Sequence, residues 1–141
     1  IDYSELSVKS SEKLNSKNIL CNKAKILQAS VSDMPFDDNT FDNITAVETY
    51  YFWPDKENDV KEVFRVLKQG GTVMLLFEML RTDDDPFKWE KVENMLNIKS
   101  VTPQEIRAVL ESAGFENINT YTKEGTTWLC ATAQKPKDDE N

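Results

Sequence analysis

The chain has 141 residues, of which 39% are hydrophobic and 30% are charged, and its net charge is −8. This length and composition indicate one globular domain with a single core and exclude a fibre or a disordered tail. The negative charge disfavours duplex nucleic acid and anionic membranes as partners, because both are bound mainly through Lys and Arg. A small-molecule ligand is therefore the expected partner.

The cysteine and histidine content limits the chemistry. Cys21 and Cys130 lie far apart and the chain has no His, so we expect no metal site and a reducing, cytoplasmic setting. Without His, any proton acceptor must be a carboxylate, Tyr, Lys or thiolate. No run approaches the roughly 20 apolar residues of a membrane span, and the N-terminus lacks a signal-peptide pattern.

The first third of the chain predicts one helix and two strands. Ser4 has the short side-chain oxygen of a helix N-cap and precedes a polar helix over residues 5–18. "KILQASV" (25–31) and "FDNITAVET" (41–49) have the composition of strands.

The middle of the chain predicts a helix followed by a strand. A helix over residues 55–69 is indicated by apolar residues at i, i+3, i+4 and i+7, with Gly70-Gly71 expected to end it. These apolar residues are Val60, Val63, Phe64 and Leu67. "TVMLLFEM" (72–79) is typical of a strand that is covered on both faces.

The C-terminal part predicts a capped helix and a hairpin. "TPQE" (102–105) has Thr as cap, Pro at the first helical position and Glu closing a capping box, and Gly114 ends the helix. Strands over 115–122 and 126–134 are expected to join through a tight turn at 123–125.

Helices that alternate with strands, followed by a hairpin, indicate an open α/β sheet, mostly parallel with a C-terminal antiparallel hairpin. Ligands of such sheets bind beyond the carboxyl ends of the strands. The residues that follow the predicted strands or open the chain are Asp2, Ser32, Asp33, Met34, Glu48, Thr49, Tyr50 and Met79.

Three segments carry a resemblance to a known family: "IDYS" (1–4), "ASVSDMPFDDNTFDNI" (29–44) and "FRVLKQGGTVML" (64–75). They resemble class I S-adenosylmethionine-dependent methyltransferases, especially the small-molecule enzymes of ubiquinone and menaquinone biosynthesis. The resemblance implies a Rossmann-like fold, S-adenosylmethionine as cofactor and methyl transfer to a small molecule. The third segment is structural, since its glycines allow a sharp turn into the next strand.

The resemblance also implies roles for individual residues. Asp2 would accept hydrogen bonds from the ribose hydroxyls, and Asp33 from the adenine amino group, with Met34 against the ring. A carboxylate suits both tasks, because it accepts hydrogen bonds and has no proton to donate. The expected cofactor-binding residues are Asp2, Tyr3, Ser32, Asp33, Met34 and Glu48. The alternatives are that Asp33 caps a turn before Pro35 and that Asp2 is a solvated carboxylate at a helix start.

"VETYYFWPD" (47–55) follows the strand beside which this family binds the acceptor. Methyl transfer is an in-line displacement, so the protein mainly aligns the reactants and supplies a base only where a proton must leave. Glu48 and Tyr50 are the candidates for orienting or deprotonating the acceptor. Phe52 and Trp53 are expected instead to pack on the following helix.

Residues 80–100 leave two alternatives open, a lid over the acceptor or an ordinary packing helix. The apolar residues available for one helix face are Phe87, Val92, Met95 and Leu96, and Trp89 fits either alternative.

The chain departs from the family in one respect, because it has no Gly-rich "GxGxG" turn and only four glycines. We therefore expect residues 1–135 to be the C-terminal portion of a longer methyltransferase domain, with a charged tail at 136–141. Its absent first strand would leave residues 41–49 as an open edge and detach residues 25–31, so that the edge either pairs with a second copy or is completed by an upstream segment. The isolated chain would then be inactive.

Two other function classes compete with this interpretation. One is a non-catalytic module with the same fold that binds a nucleotide-like ligand or a partner protein. The other is an oxidoreductase of the Rossmann type, in which "SDMPFDDNTFD" (32–42) would have no role.

Overall fold

The computed structural model of the protein describes residues 1–84 and 88–137. The chain folds as two units, Ile1–Pro35 and Phe36–Asn141. Of the residues in the structural predictions above, Phe87 and residues 138–141 of the tail lie outside the described part. No helix in the described ranges is both long and apolar enough to cross a bilayer.

The N-terminal unit contains two short helices. Helix α1 (Glu5–Leu14) begins as predicted at Ser4, whose Oγ accepts a hydrogen bond from the Ser7 N–H. The predicted helix over 5–18 is divided, because α1 ends at Leu14 with Asn15 as its C-cap, and α2 (Ser16–Leu20) follows. The Asn15 side chain donates a 2.9 Å hydrogen bond to Ser11 O, the kind of local bond that competes with a continuous helix.

The predicted strand over residues 25–31 is wrong. Asp2 N donates to Leu27 O at 3.2 Å and Ala29 N donates to Asp2 O at 3.0 Å, which makes a single parallel bridge between Asp2 and Gln28. The chain turns into the cap of α1 directly after this bridge. The partner segment is therefore too short to pair with the rest of the predicted strand.

The second unit contains a four-stranded sheet in the order β1-β2-β4-β3. Its strands are β1 (Phe41–Val47), β2 (Leu67–Phe77), β3 (Glu116–Thr122) and β4 (Leu129–Gln134). β1 and β2 are parallel, whereas the β2–β4 and β3–β4 pairs are antiparallel. The expected open α/β sheet with a C-terminal antiparallel hairpin is confirmed, although parallel pairing within it is confined to one pair. β1 lies at an edge of this described sheet, as predicted.

Helices α3 (Lys56–Val66) and α5 (Pro103–Ser112) contact each other and the sheet, and α4 (Glu90–Leu96) lies between them in the chain. The predicted capping box of α5 is present. Burial alternates along β2 between buried and half-buried residues, so only one of its faces is completely covered. The core residues come from α3, from α5 and from the covered face of β2 and β4. They are Val60, Val63, Val66, Val73, Leu75, Phe77, Ile106, Leu110, Leu129 and Ala131.

The sequence predicted that Gly70 and Gly71 end a helix. They lie instead inside β2. Helix α3 ends at Val66, and the pairing of β1 with β2 is irregular between Phe41 and Asn43. A Cβ on Gly71 would lie 2.8 Å from Lys68 O and 2.9 Å from Asp42 O. Glycine is therefore required where the two backbones come close together.

Lys135 follows β4 and is 5% exposed. Its ammonium group donates 2.8 Å hydrogen bonds to Phe64 O and Leu67 O and a 2.9 Å bond to Asn39 Oδ1. It also lies 4.6 Å from the centroid of the Phe64 ring. The last carbonyls of α3 have no partner within their own helix, and Lys135 supplies one together with a favourable charge.

The connection between β3 and β4 spans residues 123–128 and is longer than the predicted tight turn. Thr126 N donates to Lys123 O at 3.1 Å, and Gly125 has a φ of 72°. The turn residues were identified correctly, but β4 begins three residues later than expected.

Candidate functional site

Asp2 is the first predicted cofactor-binding residue, and its carboxylate is partly engaged by the protein. Its Oδ1 accepts a 2.8 Å hydrogen bond from Ser4 N, directly before α1. The neighbouring Tyr3 is 72% exposed, and its carbonyl accepts a bond from Gln28 Nε2. The alternative of a carboxylate at a helix start therefore describes the geometry. The second oxygen still has the capacity to accept hydrogen bonds from a ligand.

Asp33 is held by its backbone and leaves its side chain in solvent. Asp33 N lies 3.4 Å from Ser30 O in a single antiparallel bridge, and Ser32 N donates to Ser30 Oγ at 3.1 Å. The Asp33 side chain accepts no hydrogen bond from the described residues, so it does not cap the turn before Pro35. Its exposed carboxylate is available to a donor from outside the protein.

Asp2 and Asp33 come together on one short segment of the N-terminal unit. Asp2 bridges Gln28, Asp33 bridges Ser30, and the intervening Ala29 N donates to Asp2 O. Met34, which follows, is buried at 7% exposure. Two carboxylates and a buried thioether are thus placed within a few residues of one backbone segment.

The N-terminal unit also has a cavity that lies elsewhere. It has a volume of about 540 Å³, and its lining includes Glu12, Asn22, Lys23 and Lys25. None of the predicted cofactor-binding residues lines it. It is an open polar groove between α1 and the turn after α2, and the family resemblance gives it no role.

Glu48 occupies a strained position directly after β1. Its φ is 56°, and the other non-glycine residues with positive φ in the described ranges are all Asn. Asn adopts this left-handed conformation readily, whereas Glu does so at a cost of about 1–3 kcal/mol. The carboxylate is fixed from the neighbouring strand, because Glu78 N donates to Glu48 Oε1 at 2.6 Å. Burial raises the pKa of Glu48 above its usual value.

Tyr50 and Tyr51 begin a single 3₁₀ turn, Tyr50–Phe52, and both are buried. The Tyr51 hydroxyl accepts a 2.9 Å hydrogen bond from Met79 N, so Tyr51 holds the end of β2 in place. The Tyr50 ring packs edge-on against Phe77, with 5.5 Å between centroids, and against Trp53 at 5.2 Å. Trp53 is buried as expected, whereas Phe52 is half-exposed.

Tyr50 lines a cavity of about 240 Å³ between the N-terminal ends of α3 and α5. Glu48 is not among the residues that line it. The lining residues are Tyr50, Lys56, Lys99, Ser100, Val101, Glu105 and Ile106. The two predicted acceptor-site residues therefore do not share this cavity, although only Thr49 separates them in the chain.

The two residues also differ in the chemistry that they can perform. The pKa of Tyr50 is raised to about 12, first by burial and then by the charges of Glu105, Asp59 and Glu57. A phenol of that pKa remains protonated near neutral pH, so Tyr50 can donate a hydrogen bond but is a poor base. Glu48 is a carboxyl group, which ordinarily ionises far below the pKa of a phenol, and is the better candidate of the two for accepting a proton.

Sequence reasoning missed the residues that join Tyr50 in the cavity. Lys56 follows the Asp55 N-cap of α3, and Glu105 closes the capping box of α5. Both helix starts were recognised from the sequence, but as structural features only. A signal for this cavity was available, because the two helices of this fold begin at the same end of the sheet.

In the described part of the segment 80–100, the apolar residues named for one helix face are not buried together. α4 has seven residues, its Val92 is half-buried, and Met95 and Leu96 are exposed. Trp89 Nε1 donates to Leu80 O at 2.9 Å, which fixes the start of α4 to the end of β2.

Comparison with known proteins identifies the family of the chain. Residues 1–75 match the model of a family described as a methyltransferase domain. The chain is 30% identical over 138 residues to an uncharacterized methyltransferase, YdaC, of Bacillus subtilis, covering 96% of this chain and 68% of YdaC. It is 32% identical over 136 residues to the ubiquinone/menaquinone biosynthesis C-methyltransferase UbiE of Cronobacter sakazakii, covering 81% of this chain and 54% of UbiE.

Among solved structures, the cyclase SpnF superposes with a TM-score of 0.81 at 16% identity, covering 96% of this chain and 64% of SpnF. This likeness concerns the fold, whereas the family match and the identity to YdaC concern the sequence itself. The chain therefore belongs to the family of methyltransferase domains.

Proposed function

We propose that the chain takes part in methyl transfer from S-adenosylmethionine to a small-molecule acceptor. Solved relatives of this fold are described as S-adenosylmethionine-dependent methyltransferases. The observation that carries the proposal is the exposed Asp33 carboxylate, which has no hydrogen-bond partner among the described residues. S-adenosylmethionine supplies the electrophilic methyl group.

The residues of the N-terminal unit fit the adenosine part of this cofactor. Asp33 would accept a hydrogen bond from the adenine amino group, and the free oxygen of Asp2 would accept one from a ribose hydroxyl. Met34 would contact the ring, and Tyr3 and Ser32 flank the two carboxylates. The proximity of Asp2 and Asp33 to one backbone segment supports the assignment.

The residues after β1 fit the reacting end. Glu48 is held in place by Glu78 N, and its raised pKa suits a carboxylate that removes or orients an acceptor proton. We assign Tyr50 to orienting the acceptor by donating a hydrogen bond. UbiE is named as a C-methyltransferase of ubiquinone and menaquinone biosynthesis, and a small-molecule acceptor is our proposal for the present chain.

The test of this function is calorimetric titration with S-adenosylhomocysteine. Replacing Asp33→Ala should weaken binding by about 1–3 kcal/mol, because the amino donor of the ligand loses a charged acceptor. Asp37→Ala is the matched control, since Asp37 is also an exposed carboxylate near the start of the chain's second unit. Unchanged affinity in Asp33→Ala would remove Asp33 from the site. Turnover in the unmodified protein would exclude a non-catalytic module, and it would also overturn the expectation that the isolated chain is inactive.

We also propose that the protein works in the cytoplasm and pairs with a second copy through β1. The free thiols of Cys21 and Cys130 support a reducing compartment, and the position of β1 at the edge of the described sheet supports pairing. Sedimentation velocity should show a dimer that Thr45→Pro dissociates, and a monomer at all concentrations would exclude this pairing.

A further inference from the structure

The cavity beside Tyr50 contains hydrogen-bond donors that form only long bonds, or none, with the described residues. The only hydrogen bond of the Lys56 ammonium group to a described residue is a 3.5 Å contact with Tyr51 O. Lys99 Nζ lies 3.9 Å from Glu93 Oε2, which is too far for a strong ion pair. The Tyr50 hydroxyl makes no hydrogen bond to a described residue, although Tyr50 is only 5% exposed.

Glu105 is the acidic residue among those that line the cavity, and it already has partners of its own. It forms an ion pair with Arg81 and accepts hydrogen bonds from Thr102 N at 2.8 Å and Thr102 Oγ1 at 2.9 Å. Arg81 also contacts Ser100 O. Glu105 is therefore engaged by these residues and not by Lys56 or Lys99.

The protonation of these donors determines which kind of ligand they can bind. A lysine ammonium group has no acceptor to offer. Burial and the charges of Glu105, Asp59 and Glu57 raise the pKa of Tyr50 to about 12, so its hydroxyl stays protonated. A group that satisfies all three must accept hydrogen bonds and carry negative charge.

The volume and walls of the cavity limit the size of its ligand. At about 240 Å³ it is smaller than typical drug-sized pockets. Val101 and Ile106 are buried and give it an apolar wall. This space suits one acidic group with a short apolar attachment.

We propose that this cavity binds a small oxyanion, either a carboxylate or a phosphate group, through Lys56, Lys99 and Tyr50. The group could belong to the methyl acceptor or to a free anion. Assignment to the acceptor rests on the proposed methyl transfer, whereas anion binding itself does not.

The experiment is an NMR titration of the protein, without cofactor, using sodium benzoate and the neutral benzyl alcohol as probes. Benzoate should shift the backbone amides of Lys56, Ser100 and Val101, and benzyl alcohol should not. Lys56→Gln should weaken benzoate binding about tenfold, the loss of one charge-assisted hydrogen bond, and Tyr50→Phe should weaken it to a smaller extent. Lys61→Gln, an exposed lysine of the same helix, is the matched control and should bind as the unmodified protein does.

The proposal is overturned if benzoate and benzyl alcohol act alike, if the shifts lie elsewhere, or if Lys56→Gln and Tyr50→Phe both bind normally. Thermal unfolding of each variant identifies a loss of folding. Two further probes distinguish the sources of the group. Tighter binding of benzoate than of acetate indicates an acidic group on an organic acceptor, and tighter binding of inorganic phosphate indicates a free anion. Because none of these titrations involves methyl transfer, their failure is separable from failure of the proposed function.

Discussion

In Ile1–Pro35 the candidate residues Asp2 and Asp33 are held by single bridges, whereas in Phe36–Asn141 Glu48 directly follows a seven-residue strand that pairs along its length. The N-terminal unit buries only two of its described hydrophobic residues, Val8 and Met34. The second unit buries the faces of two helices and a sheet. The candidate acceptor residues are thus fixed before any ligand binds.

This difference indicates which candidate residues a ligand would have to immobilise when it binds. Residues held by few buried contacts open locally at low free-energy cost. A cofactor that binds Asp2 and Asp33 would have to immobilise them and would lose part of its binding energy in doing so. An acceptor that meets Glu48 and Tyr50 would find them already positioned.

The largest expected effect is on the second unit, through Lys135. Lys135→Met removes the cap of α3 and leaves buried carbonyls without a donor, so we expect a loss of about 3 kcal/mol of unfolding free energy. Urea denaturation measures it, with the exposed Lys137→Met as control. If both variants unfold at the same urea concentration, Lys135 does not stabilise this unit.

The next effect concerns Glu48, which the sheet holds in place. Glu48→Gln should lower turnover by about 10²-fold while changing cofactor affinity little, because a carboxamide cannot accept the proton. In the unmodified protein, turnover should rise with pH through the raised pKa of Glu48, since only the ionised form acts as a base. The variant should lose this acidic limb of the pH profile. Equal losses of turnover and affinity would contradict the role.

The smallest effect is expected in the N-terminal unit. Leu14 is 85% exposed at the end of α1, so Leu14→Gln should change the unfolding free energy by less than about 0.5 kcal/mol. Val8→Ala, at the buried position of the same helix, provides the comparison. A large destabilisation by Leu14→Gln would show that Leu14 is covered in solution and that the two units differ less than described.

Structural features that depend on neighbouring residues were predicted correctly from the sequence, whereas features that depend on distant residues were not. The capping box at Thr102 and the N-cap at Ser4 depend on neighbours within four residues, and both are present as predicted. The strand over 25–31 failed because its pairing depends on the length of a partner near Asp2. The strain at Glu48 depends on the bend after β1, which no local pattern revealed.

The cavity beside Tyr50 illustrates the same limit. Lys56 is far in sequence from Ser100 and Glu105, and the fold brings it to them through the helix starts of α3 and α5. The sequence predicted both helix starts, but not that an unpaired tyrosine hydroxyl would lie between them. Candidate residues could therefore be predicted from the sequence where they directly follow one strand, as Glu48 does.

Lys135 also has a consequence for synthesis of the protein. Its ammonium group bonds with residues 68, 71 and 96 positions earlier in the chain. The ribosome therefore synthesises α3 long before the lysine that caps its end. Contacts of such large sequence separation form late and slowly. During this interval the β1 edge and the apolar face of α3 are exposed, so nascent chains should depend on chaperones most strongly just before residue 135 emerges.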